Sequence, residues 1–293
     1  MSAARALAAG LAALLLAACA APPAPPPPPR AAAPELAAAL ARQPIVLLGE
    51  VHDNAALHAL RLQALRRLLE GGARPALAFE QLDSDRQAAL DAARAALDAH
   101  QDLAARADRL IAAAGAKGWN WDLYRPYLEL ALQFELPIVA ANLSRPQAMR
   151  VAQQGLDAVY DAAQRRALGL DALAADLEPA QRHEIEAGHC GRIPPEAIGP
   201  MAQAQLARDA TLAVSIAPYA GRGVVLLTGN GHARRDIGVA RHLSATDRGR
   251  SISIGLLEDD EQAARLAASF DVAFLVAAQP RPDPCLQLRM PAR

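Results

Sequence analysis

The stretch PIVLLGEVHDN, residues 44–54, sets an apolar run directly against Glu50, His52, Asp53 and Asn54. The construction recurs along the chain. PALAFE ends in Glu80 with Gln81 after it, LPIVAAN ends in Asn142, and GVVLLTGNGH delivers Thr228, Asn230 and His232. Glu50, His52, Glu80 and His232 form a mixed imidazole and carboxylate set, suited to a borderline transition metal such as zinc, manganese, cobalt or iron. The same set allows hydrolysis, with Glu50 or Glu80 as ligand or general base on a metal-bound water. The spacing is not a recognised zinc signature, since H-E-x-x-H is absent. Hydrogen-bonded groups tying strand ends to loops are a competing role for each member.

Other side chains divide less sharply. His58 shares a helical face with Leu62 and Leu65, four and seven positions on, which suits a core histidine. His189 precedes Cys190 in AGHCGRIP and either reaches the site or braces a turn. Both count among the candidate contacts of a bound group, with His52, Asn142, Asn230 and His232. Of four tyrosines, Tyr124 and Tyr127 stand in GWNWDLYRPYLELALQFELP, while Tyr160 and Tyr219 lie further on in a helical stretch. A phenolate is a proper ligand for ferric haem, although most tyrosines so placed are packing residues. No G-x-S-x-G elbow, Walker loop or complete dinucleotide fingerprint occurs, since GNGHAR lacks the third glycine.

The elements that must position these groups are legible as apolar runs. PIVLLGE, PALAFE, LPIVAAN, GVVLLTGNG, ISIGLL and DVAFLVA read as strands buried on both faces. Ala- and Leu-rich helical stretches separate the first four, which predicts right-handed crossovers and an α/β fold with a mainly parallel sheet flanked by helices. Ligands in such sheets bind beyond the carboxyl ends of the strands, where the polar residues above are gathered. Asp53 or Asn54 can cap the helix that follows, which stops at Gly71. From about 145 to 220 the pattern is helical, with breaks at Gly155, Gly169, Pro179, GHCGRIPP and Pro218. This insertion is expected to cap the carboxyl ends of the strands and to exclude water from the site.

Residues 1–18 have the layout of a secretory signal, and Leu16, Ala17, Ala18 and Cys19 fit the bacterial lipoprotein form, with lipid on Cys19. APPAPPPPPR then favours polyproline II geometry, so residues 19–30 read as an anchor and tether and 31–293 as the folded domain. Ala20 after the cysteine points to the outer membrane of a Gram-negative cell. The formal charge of −1 becomes −2 once Arg5 leaves with the signal, 29 basic against 31 acidic residues, which leaves no electrostatic footprint for nucleic acid. Cys190 and Cys285 would sit in an oxidising compartment, where a disulfide between them is possible but not fixed by spacing.

Several blocks resemble, in order, those of the ChaN family of iron-regulated, haem-binding bacterial lipoproteins, grouped with Tiki, TraB and erythromycin-esterase-like proteins. They are PIVLLGEVHDNAALHALRLQALRRLL, LAFEQLD, GWNWDLYRPYLELALQFELPIVAANLSR, HCGRIPP, MAQAQLARDATLA and VVLLTGNGHARRDIGVARHL. Two places depart from the pattern: Gln81 stands where a methionine is expected, and RDATLA lacks the methionine expected after RD. The resemblance implies an α/β fold with a helical subdomain, haem near the strand ends, and iron ligation by tyrosine, Tyr124 first and Tyr160 behind it. It also implies a haem-bridged homodimer and an outer-membrane haem or iron receptor as partner. Two functions stay open: a haem-binding lipoprotein for uptake or storage, and a metallohydrolase acting on a peptide or ester through Glu50, His52, Glu80 and His232. An anchored scaffold with a vestigial centre is the third.

Overall fold

The structure is a computed structural model and describes residues 28–260 and 263–287. The signal segment, Cys19 and most of the proline-rich stretch lie outside the described residues. Strands β1 (Ile45–Leu48), β2 (Ala76–Asp83), β3 (Ile138–Asn142), β4 (Val224–Leu227), β5 (Ser251–Glu258) and β6 (Val272–Val276) are the six apolar runs. They form one sheet in the order β3-β2-β4-β1-β5-β6, with every pairing parallel.

Helices α1 (Ala33–Leu40), α2 (Ala55–Glu70), α3 (Gln87–Ala95), α4 (Leu103–Ala114) and α5 (Trp121–Gln133) precede β3. The segment between β3 and β4 holds α6 (Arg145–Gln154), α7 (Ala162–Leu168), α8 (Leu170–Gly188) and α9 (Pro195–Ile216). Short helices α10 (Asn230–Ala233), α11 (Ala245–Gly249), α12 (Ala263–Ala267) and α13 (Pro284–Gln287) follow among the described residues.

Because successive side chains of a strand point to opposite faces, the uninterrupted apolar runs demand cover on both. Val46 and Leu48 pack with Leu36 of α1, Leu65 of α2, Leu110 of α4 and Leu128 of α5. Ile45 and Leu47 pack on the other face with Leu212 and Ile216 of α9 and with Val239. The insertion has a core of its own, built from Leu143, Val151, Tyr160, Leu170, Leu177 and Leu206. At the sheet edge, Gln87 of α3 stands in for a further strand. Its Oε1 accepts from Ala140 N at 2.7 Å and its Nε2 donates to Ile138 O at 3.2 Å, which blunts an edge that would otherwise invite pairing.

Local chemistry explains most boundaries. Asn54, rather than Asp53, caps α2: its Oδ1 accepts from Leu57 N at 2.9 Å. Asp53 turns instead to Arg281, at 2.8 and 3.0 Å. Gly49 must lack a side chain, because a Cβ there would collide with the Asn230 amide and come within 3.1 Å of Ile254 O. Pro179, expected to break the insertion, lies inside α8. Its ring is on an exposed face, where water can satisfy the carbonyl that loses its partner, so the helix tolerates it.

Candidate functional site

The strand order explains why groups far apart in sequence meet. Neighbours β3, β2, β4 and β1 bring Asn142, Glu80, Thr228 and Glu50 side by side along one carboxyl edge, with His52 on the loop after β1 and His232 in α10 just beyond. Two adjoining lobes open above them. The first, about 640 Å³, is lined by His52, Trp119, Tyr124, Asn142, Arg208 and His232 among others. The second, about 530 Å³, lies against His52, His232, Gln181, Glu184 and His189. His52, Gln205 and His232 belong to both lobes.

Glu50 organises one half of the site. It is buried, and its Oε1 accepts from the Tyr124 hydroxyl at 2.6 Å and from His52 Nδ1 at 2.9 Å. Its Oε2 is ion-paired with Arg61, which is itself fully buried on α2. Burial alone would raise the carboxyl, but Arg61 foremost, with the His52 hydrogen bond, holds it at about 2. It is therefore a permanent anion. Arg61 Nε in turn donates to the Tyr127 hydroxyl at 3.1 Å, and that hydroxyl donates to the His58 carbonyl at 2.9 Å.

A second imidazole–carboxylate pair forms the other half. His232 Nδ1 donates to Asp209 Oδ1 at 2.7 Å, and its Nε2 lies 3.6 Å from Glu80 Oε1. Burial works against the charged ring, but Asp209 and then Glu80 overcome it and raise His232 to about 9. Glu80 Oε2 accepts from Thr228 Oγ1 at 2.6 Å and Gly229 N at 2.8 Å. Burial opposes its ionisation, but His232 foremost, then His52 and those two bonds, lower its carboxyl.

His52 is the side chain best placed to meet a ligand. Its ring is 48% exposed, stands edge-on to Trp119 at 4.8 Å and directs Nδ1 to Glu50, which leaves Nε2 as the open nitrogen. Gly229 makes the room, since a Cβ there would come within 2.8 Å of Cε1 and 2.9 Å of Nε2. Tyr124 forms part of the wall, edge-on to Trp119 and His58. Burial, and next the Glu50 charge, push its hydroxyl far above the phenol range.

The remaining candidates have other partners. His58 is buried between His52 O, at 3.1 Å, and Tyr127, with its ring lowered to about 4 by burial and Arg61. It lines neither lobe. Tyr160 is in the core of the insertion, bonded to Ala207 O at 3.0 Å and Thr211 Oγ1 at 2.6 Å, and is likewise away from both lobes. Asn142 lines the first lobe while accepting from Arg208 at 2.9 Å. Asn230 lines the second but clamps β5, donating to Leu256 O at 2.7 Å. His189 lines the second lobe with its Nδ1 on Ile185 O at 2.7 Å.

The expected metal centre does not assemble. Among the described residues no group of three or more His, Cys, Asp and Glu side chains is arranged to hold an ion. The reason is visible in the donors: Glu50 neutralises Arg61, and Glu80 is held by Thr228, Gly229 and His232. Arg61 and Asp209 are the residues that sequence reasoning missed. Each is a lone charge on a buried helical stripe, Arg61 four residues after Leu57 and Asp209 three after Leu206, and that pattern was the available signal.

A parallel α/β sheet under a helical cap, with its polar groups at the carboxyl edge, defines the class of an α/β protein whose candidate site lies at the strand ends. The family model described as haem-binding uptake, Tiki superfamily, ChaN matches residues 36–243, and the chain belongs to that family. Among solved structures, ChaN of Campylobacter jejuni, described with cofacial haem binding, is similar with a TM-score of 0.62 at 19% identity, over 82% of this chain and 90% of that one. The type III effector HopBA1 aligns at a TM-score of 0.43 and 14% identity, over 88% of this chain and 99% of that one. A mutant of the erythromycin esterase EreC in its open conformation has the same score and identity, over 77% and 72%. The likeness to the Campylobacter protein is one of fold, and the other two are too distant to bear on function. No curated protein sequence matches the chain.

Proposed function

We propose that this protein binds haem in the first lobe, for uptake or storage of haem iron, and does so as an exported lipoprotein anchored in the outer membrane through Cys19. The observation that carries the reading is His52: an accessible imidazole, fixed by a buried carboxylate through Nδ1, facing a cavity with an aromatic wall. Haem takes an axial ligand on its iron, and cationic side chains suit its propionate carboxylates. An imidazole whose second nitrogen donates to a carboxylate is a well-oriented and strengthened ligand. Lys117, Arg145 and Arg208 border the same lobe, and Trp119 and Tyr124 supply apolar surface for a macrocycle. Gln205 adds a buried Oε1 with no partner among the described residues.

The donor set therefore fits haem, with His52 as the iron-side residue and Tyr124 as wall. Tyr124 is the poorer ligand because its hydroxyl is already donated to Glu50 at 2.6 Å. Pairing of two copies around haem and delivery from an outer-membrane receptor belong to the same reading. The hydrolase reading in its metal-dependent form lacks a coordinating set, since Glu50 is bound to Arg61. Among the described residues no helix is long and apolar enough to cross a membrane.

Titration of the purified protein with ferric haem, followed at the Soret band, is the test. A saturable spectral change at a fixed stoichiometry is expected. A linear response without an end point would overturn the proposal.

A further inference from the structure

Cys190 and Cys285 form a disulfide that spans 95 residues of sequence, with Cα atoms 5.8 Å apart. Cys190 lies in the turn joining α8 to α9, at the tip of the insertion. Its φ is +57°, a left-handed conformation that a residue with a side chain rarely adopts, and Gly191 follows at +64°. The turn closes α8 with backbone hydrogen bonds of its own, from Cys190 N to Ala187 O at 3.0 Å and from Gly191 N to Glu186 O at 2.9 Å, as helix C-termini commonly do. Few contacts fasten the tip to the rest of the molecule. Its apolar contacts form a small cluster of Ile185, Ile198 and Ala202 with Ile193 and Met201, separate from the cores of the sheet and the insertion. Toward the rest of the molecule it makes the Glu184–Arg234 ion pair at 2.9 Å and the Gln181–Ile237 hydrogen bond at 3.1 Å.

The other end of the disulfide is firmly fastened. Cys285 follows a segment that leaves β6 and runs past the site loop. Asn54 Nδ2 donates to Ala277 O at 2.9 Å and Ala55 N to Gln279 Oε1 at 3.1 Å. Arg281 forks between Glu258, at 2.5 and 2.7 Å, and Asp53, at 2.8 and 3.0 Å. Arg192, two residues beyond Cys190, donates to the Cys285 carbonyl. This strap thus joins the loop that carries His52 to the tip that supplies Gln181, Glu184, Ile185 and His189 to the wall of the second lobe.

We propose that Cys190–Cys285 is a reducible latch on the second lobe, with an external dithiol as its co-reactant. A thiolate of the reductant attacks one sulfur and forms a mixed disulfide, while the other cysteine leaves as a thiolate and takes up a proton. The second thiol of the reductant then displaces the first cysteine, which is protonated in turn. Two electrons and two protons pass to the protein, and the reductant leaves as its own disulfide. Both cysteines are half-buried rather than enclosed. Once cut, the tip swings on the remaining contacts of Glu184, Gln181 and Arg192, and the lobe opens. The inference does not depend on which ligand the site holds.

Amide hydrogen exchange on the full chain, before and after complete reduction by dithiothreitol, tests it. Residues 181–200 are expected to exchange about tenfold faster or more after reduction, with β1, β2 and β4 unchanged. The double variant Cys190→Ser, Cys285→Ser is expected to show the fast rates with and without dithiothreitol. Unchanged exchange at the tip, with both thiols counted as free, would overturn the latch. So would an equal acceleration throughout the sheet, which would mark the disulfide as a general stabiliser.

Discussion

Replacing Glu50 with Ala is expected to destabilise the fold by about 3–5 kcal/mol, the cost of leaving a buried charge without its partner. Arg61 has no exposed surface, so it cannot turn to water when the carboxylate goes. The loss extends to the Tyr124 hydroxyl and His52 Nδ1, both of which donate to Glu50. Urea denaturation reads the effect directly, as a shift of midpoint with unchanged slope. The double variant Glu50→Leu, Arg61→Met removes both charges at once and is expected to recover most of the stability, because apolar replacement of a whole buried pair is often neutral or better. That variant separates two roles of Glu50: it restores the fold while leaving His52 without its orienting acceptor. A single variant that loses less than about 1 kcal/mol would show that Arg61 does not depend on Glu50.

The second large effect is a dependence of stability on alkaline pH. His232 is raised from an ordinary 6.5 to about 9, because Asp209 and Glu80 favour the imidazolium against the opposing effect of burial. A folded-state value above the unfolded one means that folding favours proton uptake. The contribution is complete below pH 6.5 and disappears as pH climbs toward 9. A shift of that size corresponds to about 3 kcal/mol. Unfolding free energies at pH 6.5 and pH 9 are therefore expected to differ by about that amount in the native protein, and by much less in His232→Gln. His52, which Glu50 and Glu80 raise against the effect of burial, changes stability in the same direction. A flat profile between the two pH values would contradict the proposed charge state of His232.

These two effects rest on residues of unequal visibility. Glu50 and His232 were legible because each ends an apolar run, and the parallel sheet that such runs demand places its carboxyl ends together. The six strands and their parallel sense followed from the same runs, and the helical cap from the helical pattern between the third and fourth of them. Arg61 and Asp209 were not legible as partners, since an isolated charge on a helical stripe does not say which distant group it will neutralise. Without them Glu50 and His232 look like metal ligands, whereas with them both are already engaged in ion pairs. Tyr160 illustrates the converse limit: helical position alone could not tell that its hydroxyl would turn to Ala207 and Thr211 inside the insertion. The contact between Cys190 and Cys285 depends on where the chain runs after β6, which local sequence does not encode.

The central claim is that His52 is the side chain presented to a bound haem, with Tyr124 as wall. The most direct measurement is ferric haem titration of the native protein beside His52→Ala and Tyr124→Phe, with the Soret and charge-transfer bands recorded for each. Loss of affinity by about a hundredfold in His52→Ala, with near-native binding and an unchanged ligand spectrum in Tyr124→Phe, is the predicted result. A phenolate-type spectrum in the native protein that vanishes in Tyr124→Phe and survives in His52→Ala would contradict it.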